Sequence, residues 1–154
     1  MKRRTLVPAI LLSLLSVTAV PVSAATNATR VIKEGVGWDQ FSVGANANHL
    51  MDVLGHPDKH SQGRMMKWSK AGLNCLLDAN NQAMELRFEK RFHGATESGI
   101  TFGMPSEQVR KIYGDAGTLD WRGGGMKLIW PSRGVLIWFH DNKVYQIVIF
   151  RPQA

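Results

Sequence analysis

Apolar side chains recur at helical spacing in two stretches of the chain. In the first stretch they fall at positions i, i+3, i+4 and i+7, which predicts an amphipathic helix with Asn46 as its N-cap and Gly55 just past its end. The second stretch repeats this spacing, with Pro105 suited to the first turn and Gly114 closing the helix. The apolar positions are Ala47, Leu50, Met51 and Leu54 in the first helix and Val109, Ile112 and Tyr113 in the second.

Three short segments typical of strands follow each predicted helix. In the second unit, the last two of these segments are joined by Asp141 and Asn142. Both residues tolerate positive φ, which predicts a two-residue hairpin turn. Helices placed before hairpins, without β-α-β alternation, favour an antiparallel sheet and an α+β fold of two tandem α-β-β-β units. The predicted strands are 64–69, 73–78 and 83–90 in the first unit and 126–130, 135–140 and 143–150 in the second.

The two units also repeat each other in sequence. The segment VGANANHLMDVLGH, residues 43–56, is similar to TFGMPSEQVRKIYGD, residues 101–115. Matches that persist across small insertions indicate duplication of one unit, with a first repeat at 41–92 and a second at 93–154. The matched pairs are Gly44 and Gly103, Leu50 and Val109, and Gly55 and Gly114, at one constant spacing; Trp68 and Trp130, and Gly72 and Gly134, at a slightly longer one; and Phe88 and Val148, at an intermediate one.

The segment 1–24 predicts export. Lys2, Arg3 and Arg4 precede an apolar run and a small-residue cleavage site that ends at Ala24, which is the pattern of a secretory signal peptide. We therefore expect a periplasmic or secreted protein without a transmembrane helix, in which residues 25–40 form an N-terminal arm. Cleavage would remove three of the nineteen basic residues and none of the twelve acidic ones, which lowers the net charge from +7 to +4.

The charge and the cysteine content restrict the functions that this chain can have. A net charge of this size allows a weak contact with an anionic surface, but it is too small for a nucleic-acid-binding protein. Cys75 is the only cysteine, so no intrachain disulfide can form, although the exported compartment would allow one. The core must therefore stabilise the fold without a covalent cross-link.

The repeat resembles a known family. The run GMPSEQVRKIYG, residues 103–114, is followed by a tryptophan, a G-[LV]-x-[CI]-x-[LF] strand, a tight turn and a final apolar strand. This order is similar to the repeat of the β-lactamase-inhibitor-protein fold and of the small outer-membrane assembly lipoproteins (SmpA/OmlA). The similarity covers 101–150 and, more loosely, 41–88. The chain lacks the lipidated cysteine of the lipoproteins and the disulfides of the inhibitors. The resemblance implies a protein that binds another protein.

Few residues in the sequence are candidates for catalysis or metal binding. His56 and His60 lie in a loop after the first helix, where no third ligand is near in sequence, so we expect no metal site. Cys75 could act as a nucleophile, but it alternates with Leu73 and Leu77 as a core residue does. A small periplasmic enzyme that uses Cys75 or a His56/His60 metal loop is the alternative to a binding protein. We expect no cofactor.

The alternation in the second hairpin predicts a binding surface. Both faces of this hairpin are apolar, and one helix can cover only one of them. We expect the other face to bind a partner, with Trp138 and Tyr145 as hot spots and Trp121 at the rim, unless residues 26–40 of the arm cover it. The predicted helix-side face holds Val135, Ile137, Phe139, Val144, Val148 and Phe150, and the predicted binding face holds Leu136, Trp138, Tyr145, Ile147 and Ile149.

The first hairpin predicts an ordinary sheet with one dry and one wet face. The dry face would hold Leu73, Cys75, Leu77, Met84, Leu86 and Phe88, and the wet face Asn74, Leu76, Asp78, Glu85, Arg87 and Glu89. Together these features predict a non-catalytic, exported protein-binding module. It would act as an envelope assembly or maintenance factor or as an inhibitor of an extracytoplasmic enzyme, and the second apolar face would also allow a homodimer.

Overall fold

The computed structural model describes residues 30–61, 64–116 and 125–154, and the backbone alone at 59–61. These ranges contain the helices α1 (Ala47–Leu54) and α2 (Ser106–Tyr113), and no described helix is long and apolar enough to cross a membrane. The predicted signal peptide and Trp121 lie outside the described residues. The described strands are β1 (Arg30–Ile32), β2 (Gly37–Trp38), β3 (Phe41–Ser42), β4 (Lys59–Ser61), β5 (Met65–Trp68), β6 (Leu73–Leu77), β7 (Ala83–Glu89), β8 (Gly94–Thr96), β9 (Gly125–Trp130), β10 (Val135–His140) and β11 (Lys143–Phe150).

Seven of these described strands form one antiparallel sheet in the order β4-β5-β6-β7-β11-β10-β9. Its two halves meet at the centre, where β7 pairs with β11 and Arg87 lies opposite Val148. Strands β1 and β8 form a parallel pair, and β2 and β3 form a short antiparallel pair. The fold is therefore α+β with a mostly antiparallel sheet, as the sequence predicts.

The helix boundaries follow local signals in the sequence. The side-chain oxygen of Asn46 accepts the backbone N–H of Asn48 at 2.9 Å and so caps α1. Gly55 and Gly114 follow the two helices at φ values of 78° and 80°, a backbone region that favours glycine. Pro105 occupies the N-cap position of α2 instead of its first turn, because the helix begins at the following residue.

Both helices lie on the same face of the sheet. Trp68 Nε1 donates to the Gly55 carbonyl at 2.9 Å, and Trp130 Nε1 donates to the Gly114 carbonyl at 3.4 Å. Tyr113 of α2 packs edge-on against Trp130, with ring centroids 5.0 Å apart. The side chains between the helices and the sheet form the core, which includes the fully buried Leu50, Leu73, Cys75, Leu86, Phe88, Val109, Leu128, Val135 and Ile137.

The described part of the N-terminal arm packs on this same helix-covered face. Ile32 is 0% exposed, and Trp38 meets Phe92 edge-on at 5.0 Å. Phe41, just past the arm, lies 5.7 Å from the core ring of Phe88. The alternative that the arm covers the opposite face is therefore wrong for residues 30–40, because Ile32 and Trp38 pack in the core on the helix-covered side and hold the arm there. Residues 26–29 lie outside the described part of the chain.

A β-bulge in the second hairpin changes the predicted faces. Trp138 pairs with Gln146 but Phe139 pairs with Val144, so Tyr145 is an extra residue in β11. Because side chains alternate with a period of two, this single residue reverses the direction of every later side chain in the strand. The faces predicted for 147–150 are therefore wrong. Ile147 and Ile149 are 0% exposed in the core, whereas Val148 and Phe150 lie on the opposite face beside Leu136.

A second bulge lies in the first hairpin. Leu76 pairs with Glu85 but Leu77 pairs with Ala83, so Met84 is the extra residue of β7. Met84 is 44% exposed, and its predicted place on the dry face is wrong. The preceding residue, Ala83, is buried instead of Met84, with 2% exposure. In each hairpin the bulge thus directly follows a buried residue near the start of the last strand.

Candidate functional site

The sheet face turned away from the helices has two halves of different chemistry. We call it the open face, because neither described helix covers it. The half formed by β5, β6 and β7 is mostly polar, and the half formed by β9, β10 and β11 is mostly apolar. The open-face side chains include Met65, Lys67, Asn74, Leu76, Glu85, Arg87 and Glu89 on the polar half, and Lys127, Ile129, Leu136, Trp138, Gln146, Val148 and Phe150 on the apolar half.

A groove of about 420 Å³ crosses the apolar half. Val148, at 2% exposure, forms its floor, and the half-buried side chains of Ile129, Leu136 and Trp138 line it. Met84 of the first hairpin reaches the same groove and is one of its most exposed members. A contiguous apolar surface rimmed by polar groups is typical of a protein-binding site.

Charged groups border this apolar surface. The ammonium group of Lys127 lies 3.9 Å from the ring centroid of Trp138, which is within the range of a cation–π interaction. Across the groove, Arg87 Nη2 donates to Glu85 Oε2 at 2.8 Å. Apolar area supplies most of the free energy of association, and polar groups at the rim orient the partner. The groove combines an apolar surface with charged groups at its rim.

The structure brings together only part of the predicted binding set. Leu136 and Trp138 line the groove, whereas Tyr145 is 57% exposed but is not among the groove residues. Ile147 and Ile149 are buried on the other face and cannot touch a partner without unfolding of the sheet. Trp121 lies outside the described residues. A spacing that included the bulge would have found Val148 and Phe150. The groove residues that the sequence prediction missed are Met84, Glu85, Arg87, Lys127, Ile129, Val148, Phe150 and Gln153.

A second depression, of about 370 Å³, lies at the end of β7. We call it the basic pocket, because it is lined by Lys90, Arg91 and His93 together with Glu89 and Tyr145. Tyr145 also faces the imidazole ring of His140, with ring centroids 6.2 Å apart. The Glu89 carboxylate accepts the side-chain amide of Asn74 at 2.7 Å and is thereby engaged within the protein.

A buried polar cluster lies on the helix-covered side, away from the groove. The hydroxyl of Tyr113 donates to Glu34 Oε1 at 2.7 Å and lies 3.1 Å from Thr96 Oγ1. Arg133 Nη1 donates to Glu34 Oε2 at 3.1 Å, and its guanidinium lies 5.0 Å from the ring centroid of Tyr113. We call these four residues the Glu34 cluster. It joins the arm, β8, α2 and the turn after β9.

The Glu34 cluster shifts two pKa values in ways that its hydrogen bonds explain. Burial by itself would raise the pKa of Glu34, but hydrogen bonds from Ser98, Tyr113 and Arg133 outweigh it and lower that pKa below its ordinary value of 4.5. Burial and the hydrogen bond to the Glu34 carboxylate raise the pKa of Tyr113. The carboxylate is thus ionised and the phenol neutral near pH 7, as in a structural network that holds elements together.

The sequence offered Cys75 as a nucleophile, and the structure places it in the core. Cys75 is 0% exposed, and burial raises the pKa of its thiol to about 12. The thiolate is the reactive form, so we expect this side chain to be unreactive near neutral pH. Its contacts are those of a small apolar residue.

The histidine loop shows no metal site in the described residues. His56 is exposed just after α1, and the side chain of His60 lies outside the description. The described side chains contain no group of three or more His, Cys, Asp or Glu placed to hold a metal ion. A protein metal site ordinarily needs three or four such ligands.

Comparison with known proteins supplies a fold relative. The chain is similar to the crystal structure of a DUF4309 family protein (YjgB) from Bacillus subtilis, with a TM-score of 0.55 and 12% sequence identity. The similarity covers 76% of this chain and 88% of that one. No protein-family model matches the chain, and no curated protein sequence matches it. At this identity the similarity shows a shared fold and carries no function.

Proposed function

We propose that this chain is a non-catalytic, exported protein-binding module that captures another protein in the apolar groove of its open face. Export follows from the basic, apolar and small-residue segments within 1–24. Capture of a protein follows from the size and composition of the groove, whose floor and walls are made by Val148, Leu136, Trp138 and Ile129.

We also propose that the fold is a duplicated α-β-β-β unit. Its support is a set of equivalent backbone and indole hydrogen bonds that recur in both halves, although the two sequences differ. Matching the extra bulge residues, Met84 and Tyr145, aligns Phe88 with Ile149 instead of Val148. The recurring bonds run from Gly44 to Ala83 and from Gly103 to Val144, from Ala83 to Ala45 and from Val144 to Met104, from Glu89 to Gly72 and from Phe150 to Gly134, and from Trp68 to Gly55 and from Trp130 to Gly114.

The difference between the two halves is the observation that carries the binding proposal. At four pairs of equivalent open-face positions, the residue is polar in the first half and apolar in the second, whereas the reverse holds for one pair, Met65 and Lys127. Since the first half carries polar residues at these positions of the scaffold, packing alone does not require the apolar ones. An apolar face toward water is unfavourable unless a partner covers it. The differing pairs are Lys67 and Ile129, Asn74 and Leu136, Arg87 and Val148, and Glu89 and Phe150.

Two cellular roles use this surface equally well, namely an envelope assembly or maintenance factor and an inhibitor of an extracytoplasmic enzyme. Both need a rigid surface that holds a partner, and the identity of the partner decides between them. No contact in the described structure favours the alternative of an enzyme, because Cys75 is buried with a raised pKa. A homodimer would use the same groove as a partner protein and would therefore compete with it.

The test is affinity capture with the mature protein from periplasmic extract, followed by mass spectrometry and a Kd measurement with the purified partner. We expect Trp138→Ala and Tyr145→Ala each to weaken binding more than about tenfold, on the order of 1.4 kcal/mol or more. Trp138 lines the groove and Tyr145 is exposed in the neighbouring basic pocket, so each substitution removes surface that a partner spanning both depressions would contact.

A matched control exists in the first half. Leu76 occupies the open-face position equivalent to Trp138, on the polar half of the sheet. We expect Leu76→Ala to bind the partner within about twofold of the parent. The groove proposal would be refuted if Trp138→Ala, still folded by circular dichroism, bound the purified partner as tightly as the parent.

A further inference from the structure

The basic pocket continues the open face beyond the apolar groove. Along β7, Arg87 borders the groove and Glu89 borders the basic pocket, so the two lie about 7 Å apart on one strand. On the neighbouring strand, Gln146 lies opposite Glu89 and directly follows the bulge residue Tyr145. An extended segment of a partner could therefore occupy both depressions at once.

The bulge in β11 explains why an aromatic residue lies at the junction. As the unpaired residue of the bulge, Tyr145 leaves the regular alternation of the strand and is 57% exposed. It is the most exposed of the large apolar and aromatic side chains in the described residues. Bulges commonly direct a side chain toward a functional surface. Here the ring forms one wall of the basic pocket.

The basic side chains are held in place by the fold. Lys90 and Arg91 lie in a single turn of 3₁₀ helix whose third residue, Phe92, is 0% exposed and packs against Phe88 at 4.9 Å. His93 ends this turn with φ of 54°, in the left-handed region. Because the turn is anchored in the core, the exposed basic side chains extend from a fixed backbone position beside Tyr145.

The charges around the pocket favour an anion. Lys90, Arg91 and, on the adjoining hairpin, Lys143 are cationic and exposed. The acidic groups nearby are Glu89, which accepts from Asn74, and Asp141, whose carboxylate is 3.5 Å from His140 Nε2. The local balance of charge is therefore positive.

We propose that the basic pocket binds the acidic side chains of the partner protein, while an adjoining apolar segment of that partner lies in the groove. This inference rests on the proposed function and adds the chemistry of the bound segment, which is apolar followed by acidic. Complementary charge of this kind fixes the register of the segment and raises the association rate.

The test uses fluorescein-labelled hexaglutamate, with hexaglutamine as the uncharged probe, in anisotropy titrations at about 50 mM and about 150 mM salt. We expect the parent to prefer hexaglutamate, and the double variant Lys90→Gln/Arg91→Gln to lose about tenfold or more of that affinity. The matched control is Arg110→Gln/Lys111→Gln on α2, which removes the same charge from the opposite side of the sheet. This control variant should bind hexaglutamate with an affinity within about twofold of that of the parent.

Three results would overturn the inference. One is an equal affinity of the parent for the two peptides, and another is an equal loss in both double variants, which would show only an effect of net charge. The third is binding to phosphatidylglycerol vesicles that depends on Lys90 and Arg91 while hexaglutamate does not bind, which would assign the pocket to a lipid surface. The single variant Lys90→Glu provides a second test if the double variant fails to fold, since it should lower hexaglutamate affinity more than Lys90→Gln does.

Trp138→Ala separates this inference from the proposed function. Its side chain lies in the groove and not in the basic pocket, so hexaglutamate binding should stay at the parental level. If Trp138→Ala left capture of the purified partner intact, the groove proposal would fail while the basic pocket could still stand. If Trp138→Ala abolished partner capture and the parent showed no preference for hexaglutamate, only the basic-pocket inference would fail.

Discussion

The substitution Glu34→Gln tests how the N-terminal arm is held to the rest of the protein. Only 7% of the Glu34 side chain is exposed, and its two oxygens accept from Tyr113 at 2.7 Å and from Arg133 at 3.1 Å. The backbone N–H of Glu34 also donates to Glu97 Oε1 at 2.9 Å. Glutamine has nearly the same shape, so the substitution removes charge with little change in packing.

The expected loss follows from these contacts. A hydrogen bond to a charged group contributes about 1.5–3 kcal/mol, whereas one to a neutral group contributes about 1 kcal/mol. Glutamine keeps one acceptor oxygen and turns its NH₂ group toward a former donor, either Tyr113 or Arg133. We therefore expect the free energy of unfolding at pH 7 to fall by about 2 kcal/mol. In a domain of this size that corresponds to a Tm lower by about 8 °C.

The pH dependence has a definite sign. The pKa of Glu34 is lowered in the folded protein, so its stabilisation is fully present above the ordinary value of 4.5 and is lost as the pH falls through the folded value. The stability gap between the parent and Glu34→Gln should thus be constant from pH 7 to about pH 5 and should narrow toward pH 3.

The measurement is guanidinium denaturation of both proteins at pH 7, 5 and 3, followed by circular dichroism. Glu107→Gln is the control, because Glu107 is an exposed carboxylate in the first turn of α2 and lies outside the Glu34 cluster. Its effect should stay within about 0.5 kcal/mol. A Glu34→Gln protein as stable as the parent at pH 7, or a gap that did not narrow at pH 3, would refute the reasoning.

Two further predictions concern the core. Leu50 and Val109 are both 0% exposed beneath their helices, so Leu50→Ala should cost about 2–4 kcal/mol in denaturant melts and Val109→Ala somewhat less. If Leu50→Ala unfolded at the same denaturant concentration as the parent, α1 would not be packed on the sheet as described. The thiol of Cys75, with its pKa raised to about 12, should resist a thiol-labelling reagent at pH 8 in the folded protein and react at once in guanidinium. Rapid labelling of the native protein would instead reopen the thiol-enzyme alternative.

The features that the sequence predicted correctly depend on local chemistry. Asn46 caps α1 because its short side chain reaches the N–H of Asn48, and this needs no distant contact. Asp141 and Asn142 form the hairpin turn with φ of 48° and 59°, as their tolerance of positive φ predicts. The α+β class followed from the order of these local elements.

The bulges could not be predicted in this way, because they depend on contacts between segments that are distant in sequence. The N–H of Val144 donates to the Met104 carbonyl, and the N–H of Gly103 donates to the Val144 carbonyl. These two bonds hold Val144 toward the core beside the start of α2. After Val144, β11 pairs with β10 again from Gln146 onward, so Tyr145 is the extra, unpaired residue of the bulge. A hydrophobicity pattern read along one strand contains no trace of this constraint.

The Glu34 cluster helps to hold the N-terminal arm away from the open face. The parallel pairing of β1 with β8, the burial of Ile32 and the bonds of Glu34 all hold residues 30–34 to the helix-covered side. To cover the groove, the arm would have to give up those contacts, expose Ile32 to water and separate Trp38 from Phe92, at a cost of about 1.5–3 kcal/mol for each side chain. That cost exceeds what the arm could recover with Val31 and Val36, which are already about half exposed where they lie. The stability of the arm on one side of the sheet is therefore what leaves the groove on the other side open to a partner.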